Sequence, residues 1–166
     1  MGPAELPLVI GVGNDARRDD GVGLAVARAV RPRLLGRARI EECPNDATAL
    51  LSLWEGAGVV LVADAVRSGS PPGSLRRIDV DASPLPVAGA TSTHGLSLSE
   101  AVGLGRTLGR RPERLVVYGI EAGDLGPGAG LSAPVAGAVG PAAGWIALEV
   151  LSLVGSGSST GGGDRA

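Results

Sequence analysis

Three continuous apolar runs, Leu6–Val12, Val59–Ala65 and Leu115–Ile120, limit what this chain can become. Each is too short for an ordinary helix, and each stops at glycine, valine followed by charge, or a carboxylate. Unbroken apolar runs of this length are strands covered on both faces. Between them the spacing turns helical. Val22, Ala25, Val26, Ala29 and Val30 form one stripe that stops near Pro32, and Ala49, Leu50, Leu53 and Trp54 form another that ends at Gly56. Asn45 or Asp46 is placed to cap the second of these helices. Ser97-Leu-Ser-Glu100 has capping-box spacing and opens a helix through Val102, Leu104 and Leu108 to Gly109. Ser132 caps a long final helix, which Pro141 should kink or split. Ala38–Cys43 reads as a short second strand, and Ser74–Val80 as an edge strand. Strands alternating with helices predict an α/β sandwich with a mostly parallel sheet.

The totals agree with one layered domain. With 28 glycines and no phenylalanine, the core has to be made of Val, Leu, Ile and Ala. We expect a single α/β domain over residues 1–154 and a flexible Gly/Ser-rich tail over 155–166. There is no basic stripe, the net charge is −2, and aromatics are 2% of the chain, so nucleic acid is not an expected partner. Cys43 is the single cysteine, which excludes an intrachain disulfide and a cysteine-based zinc cage. Met1–Leu6 lacks a basic leader region, and the Ala133–Val154 stretch is interrupted by glycines, Pro141 and Glu149. The expected location is therefore cytoplasmic, without a membrane partner.

The chemistry concentrates in Gly11-Val-Gly-Asn-Asp-Ala-Arg-Arg-Asp-Asp-Gly-Val-Gly23. A turn needs Gly and Asn for its backbone angles but has no need of three carboxylates. Sites in parallel sheets form beyond the carboxyl ends of the strands. Asp19 and Asp20 follow the first strand, Asp64 lies near the end of another, and Glu121 ends the last. With His94, the sole histidine, Asp20 and Asp64 make a set suited to a borderline divalent cation such as zinc or nickel. Each has a plainer reading. A lone histidine is commonly a surface or capping residue, one of Asp19 and Asp20 is expected to cap the next helix, and Asp64 could simply end its strand. Cys43 reads as a small buried residue and not as a nucleophile. A weak dinucleotide fingerprint, Gly11-x-Gly13-x-x-Ala16 with Glu41 and Glu42 further on, competes for the same loop. Pyrophosphate would there face Asp15, Asp19 and Asp20, so a cation fits the loop better than an anion.

These residues, in this order, resemble the hydrogenase maturation endopeptidases. The resemblance is carried by Gly11-Val-Gly-Asn14, Asp19-Asp20-Gly21-x-Gly23, Asp64-Ala-Val, Ser92-Thr-His94-Gly and Gly119-Ile-Glu121, and runs from about Leu8 to Val139. It implies a three-layer α/β/α sandwich with a twisted, mostly parallel five-stranded sheet. It implies an endopeptidase, a hydrolase that removes a C-terminal extension from the large-subunit precursor of a nickel-iron hydrogenase after nickel insertion. Its metal-binding trio falls on Asp20, Asp64 and His94, and these are also the catalytic candidates. The metal is then the nickel of the substrate, bound weakly or transiently, with zinc or cadmium able to substitute, and no organic cofactor is expected. Asp20 is the preferred base, although the sequence does not apportion acid and base among the three. Asp20 stands where some relatives carry Glu, Ala16 replaces a larger apolar residue, and Ala122 replaces Pro. The alternatives are a nucleotide- or dinucleotide-binding domain and a non-catalytic maturation partner that binds the subunit without cutting it.

Overall fold

The computed structural model describes residues 5–82 and 96–156, with side chains from residue 98 onward in the second segment. Five strands form one sheet: β1 (Leu8–Val12), β2 (Arg39–Cys43), β3 (Val59–Val66), β4 (Leu75–Asp79) and β5 (Arg114–Glu121). Their spatial order is β2-β1-β3-β5-β4. All pairings are parallel except β4 with β5, which is antiparallel and places β4 at the edge. Four helices cover the sheet: α1 (Val22–Val30), α2 (Ala47–Trp54), α3 (Leu96–Leu108) and α4 (Ala133–Ser156).

The period-two alternation of strands divides the core in two. Leu8, Ile10 and Val12 face one side with Val60, Val62, Leu115 and Val117, where Leu50 and Trp54 of α2 and Ala101 and Val102 of α3 cover them. Val9, Leu61, Ala63, Val116 and Tyr118 face the other, against Val22 and Val26 of α1 and Val135, Ala138 and Ile146 of α4. The result is the three-layer α/β/α sandwich expected from the family resemblance.

Glycine sets how closely α1 meets the sheet. A Cβ on Gly23 would sit 2.2 Å from the Val12 carbonyl oxygen and 2.4 Å from that of Ala63. A Cβ on Gly11 would sit 2.3 Å from the Gly23 oxygen. The first turn of α1 therefore rests directly on the backbones of β1 and β3.

Some local expectations are corrected. Neither Asp19 nor Asp20 occupies the N-cap of α1, which is Gly21; Asp19 and Asp20 belong to a 3-10 turn, Arg18–Gly21. Asp46, whose carboxylate accepts from the Ala49 N–H, caps α2, so Asn45 does not. Helix α3 begins at Leu96, which places Ser97 inside the first turn and not at the cap. Helix α4 runs through Pro141 unbroken. Pro141 and Gly137 are both exposed, so water can serve the carbonyl that the missing N–H leaves unpaired. This helix also continues to Ser156, two residues into the segment read as tail. It is long and apolar enough by composition to cross a membrane, but its Val135, Ala138, Ala142, Ile146 and Val150 are buried against the domain. Residues 157–166 lie outside the described residues.

Candidate functional site

The strand order reverses at β1, because the chain passes from β1 out to β2 and then returns to lay β3 on the other side of β1. Parallel sheets open a crevice at such a point, beyond the carboxyl ends of the strands. The β1–β3 ladder ends at the Gly11–Ala63 pair, and Asp64 is the next residue along β3. Asp20 follows β1 in the 3-10 turn that precedes α1. The two carboxylates predicted from sequence thus meet at the switch point. His94 and the 91–95 loop lie outside the described residues. Among the described residues no three His, Cys, Asp or Glu side chains converge into a metal cage.

The two aspartates are in different surroundings. Asp20 is 6% exposed, and its Oδ2 accepts from the Asn45 side-chain N–H at 2.7 Å. Asp20 makes at least one further interaction besides this one. Burial pushes the Asp64 carboxyl well above its ordinary value of 3.8, the Asp20 charge pushes it further, and the Ala65 N–H opposes both only in part. The two side chains are therefore close enough to interact electrically.

Asp19 is fully buried and does a different job. Its Oδ2 accepts from the N–H groups of Gly123 at 2.9 Å and Asp124 at 2.8 Å, and from the Ser132 hydroxyl at 2.8 Å. Its Oδ1 accepts from the Ser132 N–H at 2.7 Å. Burial raises the Asp19 carboxyl, but the donors of Asp124, Ser132 and Gly123 together outweigh it and hold the group below 3.8. Arg17 and Arg18 reinforce the same seam: they donate to the Leu125 and Pro127 carbonyls, and Arg18 adopts a φ of +48°. The Gly123–Gly130 loop is thereby fastened to the turn that carries Asp20. Glu121, 4% exposed, fastens a second loop by accepting from the Ser68 N–H and hydroxyl and from the Gly69 N–H.

A cleft of about 700 Å3 is lined by residues including Gly13, Asn14, Asp15, Glu42, Cys43 and Asn45, the last of which donates to Asp20. Arg28 spans its rim, donating to Glu42 at 2.7 Å and to Asp15 at 2.9 Å. Cys43 is buried and its thiol is pushed up to about 11, mainly by burial and further by Asp46 and Asp64. It is thus unsuited to be a nucleophile at neutral pH. The glycines of the dinucleotide-like fingerprint are spent on packing. A Cβ on Gly13 would fall 2.1 Å from the Asp20 carbonyl oxygen, and Glu42 is engaged by Arg28.

The fold brings the two carboxylates to a sheet switch point, and comparison with known proteins identifies the class. The family model for the HycI hydrogenase maturation proteases matches residues 45–149. A hydrogenase expression/formation protein HupD of Rhizobium leguminosarum bv. viciae is 30% identical over 157 residues, which cover 91% of this chain and 77% of that protein. The HupD of Thiocapsa roseopersicina is 28% identical over 71% of this chain, which spans only about half of it (55%). The hydrogenase maturating endopeptidase HybD from Escherichia coli superposes with a TM-score of 0.74 at 25% identity, covering 91% of this chain and 94% of that one. The chain belongs to the hydrogenase maturation protease family.

Asp19, Asn45 and Glu121 contribute more to this site than sequence reasoning assigns them. Glu121 was legible as a carboxylate at a strand end, but its loop-holding role depends on a contact 53 residues distant. For Asn45 a signal did exist: Asn45 and Asp46 are adjacent capping residues before a single helix.

Proposed function

We propose that this protein is the endopeptidase that removes the C-terminal extension of a nickel-iron hydrogenase large-subunit precursor once nickel is in place. The observation that carries this reading is that Asp20 and Asp64 come to the same switch point of the sheet, with Asn45, which donates to Asp20, in the wall of an open cleft. In this reading the nickel belongs to the substrate, and Asp20, Asp64 and His94 contact it. Two carboxylates and an imidazole leave coordination positions open, as recognition of a metal already held by another protein requires. Zinc or cadmium would occupy the same ligands in place of nickel, and no organic cofactor takes part.

For hydrolysis, Asp20 accepts a proton from water while the water oxygen attacks the scissile carbonyl carbon. The tetrahedral intermediate then collapses as the peptide C–N bond breaks. The leaving nitrogen takes the proton that Asp20 has just accepted, so Asp20 returns to its ionised form and serves first as base and then as acid. Asp20 is assigned the base because its carboxylate is buried and held in place by the Asn45 side chain. The cleft lined by Asn14 and Asn45 is the route for the extended tail, and the protein works in the cytoplasm.

The test compares nickel-loaded with nickel-free precursor under identical conditions. Cleavage confined to the loaded form is the expected result, and equal cleavage of both would overturn nickel recognition by this site. Full activity of His94→Ala would remove His94 from the proposed set.

A further inference from the structure

Asn45 and Asp46 stand side by side at the start of α2, and that helix needs one cap. Asp46 takes the task, which leaves the Asn45 side chain to reach back across 25 residues of sequence. Its Nδ2 donates to Asp20 Oδ2 at 2.7 Å, from the loop after β2 to the turn after β1. Asn45 is half-buried and forms part of the wall of the cleft.

We infer that Asn45 is a positioning residue, which aims the Asp20 carboxylate at the reacting peptide. This rests on the protease reading above. A carboxylate on two soft torsions, with a second carboxylate close by, turns away from its neighbour unless something holds it. An amide holds the carboxylate without cancelling its charge. The Asn45 anchor is itself fixed, because the backbone that follows it is the capped first turn of α2. A chain lying in the cleft passes over the residue that orients the base.

The experiment uses Asn45→Asp and Asn45→Ala in the full-length protein, with precursor processing followed kinetically. Loss of such a supporting contact commonly lowers activity about tenfold to a hundredfold. The expected result is a fall of about tenfold or more in kcat with KM changed less than about twofold. Asn45→Asp should be the worse of the two, because it fills the same space but sets an oxygen against the Asp20 oxygen. A residue needed only for packing gives the reverse order, with the isosteric variant near wild type, and that order would overturn the proposal. A second readout needs no activity. The side-chain amide resonance of Asn45 in a 15N–1H spectrum should shift in Asp20→Ala and stay put in Arg77→Ala. An Asn45 amide indifferent to Asp20 overturns the contact itself. A wild-type protein that leaves the precursor uncut overturns the protease reading and with it the reaction that Asn45 would serve, whatever the amide resonance shows.

Discussion

Asp19 shows how much a single carboxylate can organise. Four donors converge on it from a loop more than a hundred residues away, and it is fully buried. Asp19→Asn puts a donor group among those donors, and leaving such buried groups unsatisfied should cost about 2–4 kcal/mol at pH 7. The sign with pH follows from its lowered proton affinity. Stability from the ionised group is complete above 3.8 and is lost as pH falls through the lower folded value. Urea denaturation at pH 7 and again near pH 3 should therefore show the mutational penalty shrinking on acidification. Asp64 works in the opposite sense. Its raised folded value means that its contribution to stability is complete below 3.8 and is lost as pH rises through the folded value. Asp64→Asn should raise the melting temperature at pH 7, by an amount corresponding to about 1 kcal/mol, with no gain near pH 3. Under the proposed function the same variant should fail to process the precursor.

Among the elements, α1 and α4 make the clearest predictions. Gly23→Ala forces a methyl group into two backbone oxygens that cannot give way, and should destabilise the fold by about 3 kcal/mol or more in chemical denaturation. Pro141→Ala restores an N–H in the middle of α4 on its exposed side. It should stabilise by about 1 kcal/mol, offset in part by the greater freedom of the unfolded chain. The elements were largely legible in the sequence. Continuous apolar runs located β1, β3 and β5, and glycines marked the ends of α2 and α3, where Gly56 and Gly109 have positive φ. What local pattern could not supply was the competition for each capping group. Asp20 or Asp19 as a cap of α1, Asn45 as a cap of α2 and a break at Pro141 are all reasonable from neighbours in sequence. Each yields to a partner or a solvent exposure that only the fold creates.

For the whole molecule, the order β2-β1-β3-β5-β4 turns separate motifs into one site. Asp20 and Asp64 stand 44 positions apart by number in the chain, yet adjoining parallel strands bring both to the same crevice. Their pairing could be anticipated from strand ends, whereas the buttresses built by Asp19 and Glu121 could not, because both depend on loops returning from far along the chain. The proposed account requires that this crevice cut a peptide bond and not merely hold a partner. Intact mass of a nickel-loaded hydrogenase large-subunit precursor, taken before and after incubation with the protein, tests that directly. The predicted result is loss of the mass of a C-terminal fragment, abolished in Asp20→Ala. A precursor of unchanged mass, even one bound in a stable complex, would contradict it.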